Sequence, residues 1–116
     1  ILERTGIHTR HIAPKDMATS DMAAFAACNT LSAAGVQASD VDVIIVCTVT
    51  PDMFFPATAC LVQDKIHASK AWGFDLSAAC AAFIYGITTA AGFVKSGLYK
   101  KVLVVGADTM SRIINY

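Results

Sequence analysis

The stretch Gly73–Val94, GFDLSAACAAFIYGITTAAGFV, constrains this chain more than any other. No charged residue falls between Asp75 and Lys95. Ala71–Leu76 predicts a short apolar strand. Ala81–Val94 predicts an apolar helix of small residues with Phe83, Ile84, Tyr85, Ile87 and Phe93 on several sides, which needs neighbours all round. Cys80 lies at the joint between the two patterns. A strand running straight into a buried helix places the sulfur where helix N–H groups converge, an arrangement that favours thiolate over thiol. The same donors can bind an oxyanion beside the sulfur. A free cysteine is also an ordinary small core residue, so position alone leaves both readings open.

The uncharged run is long enough to raise the question of a membrane span. Its many Ala, Gly and Thr residues, and the strand at its start, favour a buried central helix instead. Of the 116 residues, 55% are hydrophobic and 16% charged, against a usual charged share of about 25%. So little charge on so short a chain implies surface that belongs against a partner or a missing part. Net charge is zero and no basic run exists, which argues against nucleic acid. Cys28, Cys47, Cys60 and Cys80 form no C-x-x-C pair, so no metal site is expected. Each lies in an apolar segment, as suits thiols in a reducing cytosol. No basic start leads into an apolar core, so a cytoplasmic protein is expected. The chain begins at Ile1 rather than methionine, which fits a piece of a longer protein or a processed one.

In order, Ile1–Ala13 reads as loop and a short edge strand, with His8 and His11 on opposite faces and so no metal pair. Pro14–Thr19 is a linker. Thr19 or Ser20 can cap a helix that carries Asp21 in its first turn. Met22, Phe25, Cys28 and Leu31 make a slanted apolar stripe, and Gly35 ends the helix. Val41–Val49, VDVIIVCTV, is a nearly continuous β-branched run, as in a strand buried on both faces of a parallel sheet. Thr50-Pro51-Asp52 turns the chain. Met53-Phe54-Phe55 puts large apolar residues in a loop, where they either cap a core or plug into a partner. Pro56 suits the first position of a helix over Ala57–His67, and a partly positive His67 suits its C-terminus. Ser96-Gly97 stops the central helix, and Val102–Val105 is another buried strand. Met110–Tyr116 has no readable pattern. Strands alternating with helices predict an α/β fold with parallel βαβ units. No G-x-G-x-x-G or P-loop is present, which removes the main support for a nucleotide-binding reading.

DLSAACAAF, the small-residue helix after it and KSGLYKKVLVVGAD together resemble the active-site region of beta-ketoacyl-acyl carrier protein synthase III, a thiolase-like condensing family. PDMFFPATACLVQ and Arg4-Thr5-Gly6-Ile7 extend the resemblance from Arg4 to Arg112. It implies a thiolase-like fold in which residues 1–116 are part of the first of two related halves. That part would be a layered sheet of parallel βαβ units with a buried central helix.

It implies further that Cys80 is the acylated nucleophile. Arg4 and Thr5 would bind coenzyme A; a guanidinium suits nucleotide phosphate or adenine. Phe55 would reach across a dimer interface into the partner's acyl pocket. The implied reaction is a decarboxylative Claisen condensation. An acyl-CoA, acetyl-CoA by the resemblance, acylates the cysteine, and malonyl-acyl carrier protein supplies the carbanion. Coenzyme A thioester is then a substrate, and no cofactor is expected. The histidine and asparagine of the family lie in its second half; His8, His11 and Asn115 do not match them. The family often has glycine where Ala82 stands, so a methyl is added close to the thiol. Other members of the superfamily remain open: a polyketide starter enzyme, hydroxymethylglutaryl-CoA synthase or a thiolase. So does a non-catalytic partner subunit of a condensing enzyme.

Overall fold

The computed structural model describes residues 1–114; Asn115 and Tyr116 lie outside the described residues. Three parallel strands form one sheet in the order β2-β1-β3. They are β1 (Val43–Cys47), β2 (Trp72–Leu76) and β3 (Val102–Gly106). The helices are α1 (Leu2–Thr5), α2 (Thr19–Ala34), α3 (Thr58–Ile66) and α4 (Ala82–Lys95).

The run VIIVC is the middle strand because it is apolar at every position, and all five residues are buried. Its side chains divide between two cores. Ile44 and Val46 face α2 and α3, with Ala23, Ala27, Leu31, Ala59, Val62 and Ile66, joined by Leu103 and Val105 of β3. Val43, Ile45 and Cys47 face α4, with Ala82 and the half-buried Phe74, Val102 and Val104. The connection from β1 to β2 runs through α3 on one face. The connection from β2 to β3 goes back across β1 through α4 on the other. Reversing direction and changing face together keep both crossovers of one hand, as parallel sheets require.

Carboxylates from distant segments hold the helix starts. The residue before α2 is Ala18, which has no side-chain acceptor, so neither Thr19 nor Ser20 is its cap. Asp52 does that work from the loop after β1: Ser20 N donates to its Oδ1 at 2.8 Å and Ser20 Oγ to its Oδ2 at 2.6 Å. Asp21 takes the Ala18 N–H at 2.8 Å and also pairs with Lys65 at 2.9 Å. The Lys65 hydrogen bond, then the Ala18 N–H, hold the Asp21 carboxyl below its ordinary value. Asp75 of β2 accepts from Thr58 N and Ala59 N, both at 2.8 Å, and so caps α3. Pro56 is not at the first helical position; it lies two residues ahead of Thr58.

Other expectations change as well. No strand forms in Ile1–Ala13: Leu2–Thr5 is one turn of helix, ended by Gly6 in the left-handed region at φ 69°, and irregular chain follows. The buried stripe of α2 is Thr19, Ser20, Ala23, Ala27 and Leu31, while Phe25 and Cys28 are exposed. Small residues let this helix lie close against α3, so alanines form the contact and Phe25 is left on the far side. Gly35 ends α2 in the left-handed region, as expected. Met110–Arg112, in the stretch without pattern, forms a short 3-10 turn.

The central helix differs most. Within this chain only Ala82 and Gly86 of α4 are buried, so the expectation of a buried central helix is not met here. Phe83, Ile84, Tyr85, Ile87 and Val94 are exposed. One sheet face is all that the chain offers α4, and its other sides have no neighbour among the described residues. Nor is β3 fully buried; as an edge strand it buries Leu103 and Val105 and leaves Val102 and Val104 half-covered.

Gly86 lets α4 approach that sheet. A Cβ there would stand 2.6 Å from Cys47 Sγ and 3.0 Å from Val104 Cγ1. Gly86→Ala in the full-length protein is expected to cost about 1–3 kcal/mol. Adding Cys47→Ala should return part of that loss, since it removes the atom in collision. Chemical unfolding of the two single variants and the double checks this; strictly additive losses would contradict it. At the far end of the sheet Trp72, Phe74, Phe93 and Tyr99 pin α4 down. The Trp72–Phe93 and Phe93–Tyr99 ring centroids are 5.9 and 5.6 Å apart.

Asp42 ties the start of β3 to β1. Its Oδ2 accepts from Lys101 N at 3.0 Å and Lys100 N at 2.8 Å, and its Oδ1 pairs with Lys70 at 3.0 Å. The Lys101 and Lys100 N–H groups and the Lys70 ammonium hold this carboxyl far below the ordinary range. A carboxyl depressed on folding contributes stability above its unfolded pKa of about 3.9 and loses it as pH falls toward the folded value. Asp42→Asn should therefore lower stability at neutral pH and flatten its decline below about pH 4. Denaturation midpoints measured across that range test the sign; parallel curves would contradict it.

Candidate active site

The register sets Cys47, Leu76 and Gly106 side by side, so the three strands end together. The loops that follow them meet at one edge of the sheet, the carboxyl edge where parallel α/β sheets build their sites. A cavity of about 260 Å³ lies there. Cys47 ends β1, Ala79 and Cys80 follow β2, Ala82 and Phe83 begin α4, and Gly106 through Asp108 follow β3; all of them line it.

Cys80 is exposed. It is the middle residue of a 3-10 turn, Ala79–Ala81, that runs on into α4. The break between strand and helix therefore falls ahead of the cysteine. Ala78 has φ −151° and ψ 32°, and Ala79 is in the left-handed region at φ 48°. A left-handed alanine costs about 1–2 kcal/mol, because its Cβ crowds the next carbonyl. Such strain persists only where the surroundings impose it, and here it presents the neighbouring thiol. Within the turn Ala81 N donates to Ala78 O at 3.0 Å and Ala82 N to Ala79 O. Ala82 is buried at 4% exposure against Val43, Ile45 and Cys47, so the chain accommodates the methyl that replaces the glycine common in the resembled family.

Burial raises the Cys47 thiol above its ordinary pKa, which leaves it a neutral part of the cavity wall. Asp108 organises the rim. Its Oδ1 accepts from Thr48 Oγ1 and Val49 N at 2.8 Å, from Thr50 Oγ1 at 3.0 Å and from Thr50 N at 3.3 Å. Thr109 N donates to Thr50 Oγ1 at 2.8 Å, and Thr19 Oγ1 donates to Thr50 O at 2.5 Å. One carboxylate thus joins the loops after β1 and β3 and ties both to the start of α2. Asp108, Thr48, Thr50 and Ala79 escaped the sequence reading. The aspartate directly after the VVGA strand end was the one available signal.

Arg4, Thr5 and Phe55 are not brought to this cavity. Arg4 and Thr5 are exposed on α1, where Thr5 Oγ1 donates to Ile1 O at 2.9 Å. Phe55 is 84% exposed and Phe54 99% exposed, on a loop projecting from the surface. Among the described residues no group of three His, Cys, Asp or Glu side chains could hold a metal ion. No described helix is long and apolar enough to cross a membrane.

Residues 74–116 match the family model described as 3-oxoacyl-[acyl-carrier-protein] synthase III. Over its whole length the chain is 63% identical to beta-ketoacyl-[acyl-carrier-protein] synthase III of Solibacter usitatus and covers 35% of that relative. The crystal structure of 3-oxoacyl-[acyl-carrier-protein] synthase III from Aquifex aeolicus superposes with a TM-score of 0.90 at 43% identity, over 96% of this chain and 36% of that one. The priming beta-ketosynthase of the R1128 polyketide pathway superposes with a TM-score of 0.91 at 37% identity, over 97% of this chain and 34% of the other. The chain therefore spans about a third of the relatives it matches. The expected thiolase-like α/β fold stands, with the difference already described for α4. Along its own whole length, in both sequence and backbone, the chain matches about a third of these relatives, as a fragment of a beta-ketoacyl-[acyl-carrier-protein] synthase III does.

Proposed function

We propose that the full-length protein is the initiating condensing enzyme of fatty-acid synthesis, with Cys80 as its nucleophile. The observation that carries this is the exposed thiol on a strained turn at the carboxyl edge of the sheet. Cys80 Sγ attacks the thioester carbonyl of an acyl-CoA, acetyl-CoA by family likeness, and coenzyme A leaves as its thiol. Malonyl-acyl carrier protein then loses carbon dioxide, and its carbanion attacks the acyl group on Cys80. This frees the thiol and forms a beta-ketoacyl-acyl carrier protein. The Cys80 N–H helps hold each tetrahedral oxyanion. The acid and base groups come from the part of the enzyme beyond this chain, so residues 1–116 form one partial half.

Arg4 and Thr5 contribute to the coenzyme A site from α1, with the guanidinium turned to phosphate or adenine. Phe55 enters the acyl pocket of a second copy in a homodimer, a role suited to its 84% exposure. The site works in the cytoplasm on soluble substrates and needs no cofactor. A polyketide starter enzyme is the second reading, favoured by the likeness to the R1128 priming synthase.

Alkylation tests the nucleophile. Cys28, Cys60 and Cys80 are all exposed, so access alone does not separate them. Iodoacetamide at neutral pH should modify Cys80 of the full-length enzyme at least about tenfold faster than Cys28 or Cys60. Prior incubation with acyl-CoA should protect Cys80 alone. Equal rates at the three exposed thiols, without protection, would overturn the assignment and favour a non-catalytic subunit.

A further inference from the structure

Phe83 stands three residues after Cys80, on the first turn of α4, at 45% exposure. Residues three apart on such a turn share a face. The ring lies against Gly106, the last residue of β3. A Cβ built on Gly106 would come within 3.2 Å of Phe83 Cδ2 and 3.8 Å of its Cγ. Aromatic ring and bare backbone therefore fit one another, and both line the cavity that holds the thiol. On the other wall Cys47 is fixed against Gly86, where no larger side chain fits. Among the described residues that line this cavity, Phe83 carries the large apolar side chain.

We infer that Phe83, seated on Gly106, determines which acyl groups Cys80 can carry. This rests on the acyl-transfer reading and deepens it. An acyl group on Sγ is apolar beyond its carbonyl and must lie along an apolar wall. The ring supplies that wall and limits the space beyond it. Gly106 has no side chain because a methyl there would take cavity space and force the ring to move.

The two residues should act in opposite directions. In the full-length enzyme, acylation of Cys80 is followed by mass spectrometry with straight-chain acyl-CoAs from acetyl to octanoyl. Phe83→Leu removes the ring and should raise the octanoyl-to-acetyl rate ratio by about tenfold, the scale on which methylene-sized pocket changes discriminate. Gly106→Ala adds a methyl and should lower the ratio by a similar factor. The double variant should move back toward the parent. If Gly106→Ala does not fold, Phe83→Trp supplies the contracting arm. A purely structural role would lower all rates together, so unchanged ratios in variants that still acylate Cys80 would overturn the inference and leave the acyl-transfer reading intact. Failure of the parent enzyme to acylate Cys80 with any chain would overturn both.

Discussion

Cys80→Ser in the full-length enzyme is expected to abolish acyl transfer from acyl-CoA and condensation with it, while leaving the fold intact. The loss should be at least about a thousandfold, the scale seen when a covalent nucleophile is removed. Serine is nearly isosteric, and the position is exposed, so no packing is lost. The strained alanine beside it, the turn and the rim held by Asp108 remain. A hydroxyl lacks the nucleophilicity of a thiol at neutral pH. Thermal unfolding should therefore overlay that of the parent while turnover vanishes. Turnover within tenfold of the parent would show that another group takes the acyl chain.

The second large effect concerns residues 1–116 alone. Isolated, they should be insoluble or molten and should form no beta-ketoacyl product. Phe83, Ile84, Tyr85, Ile87 and Val94 leave α4 with a broad apolar exterior, and Phe54 and Phe55 add an apolar loop. Patches beyond a few hundred Å² mark surfaces that are covered in the assembled state or else aggregate. Supplying the rest of the enzyme should restore a soluble homodimer and condensation. Size-exclusion chromatography and near-ultraviolet circular dichroism of the isolated chain decide this. A soluble monomer with fixed aromatic signals would show that α4 needs no cover.

What could be read beforehand follows from how local each signal is. The β-branched run around Val43–Val46 and the alternation of strand with helix needed no partners to be legible, and they fixed the fold class. Cys80 was legible because a pattern changed beside it. The helix caps were not, because Asp52 and Asp75 act on N–H groups far along the chain. A sequence shows which residues are polar but not which distant N–H they meet. The α2 stripe was misread for a related reason: apolar size pointed to Phe25, whereas close helix packing selected Ala23 and Ala27. The exposure of α4 illustrates the same limit from the other side. Its composition suits a helix covered on every side, and the described residues supply one sheet face of that cover.

The most direct measurement lets the four cysteines of residues 1–116 compete. Full-length enzyme is mixed with acetyl-CoA in the absence of malonyl-acyl carrier protein, quenched in acid and digested, and the peptides are mapped by mass spectrometry. The account predicts one acetyl group per chain on the peptide containing Cys80, with Cys28, Cys47 and Cys60 unmodified, and its discharge when malonyl-acyl carrier protein is added before the quench. An acetyl group on a different residue, or none at all in an enzyme that still condenses, would contradict it.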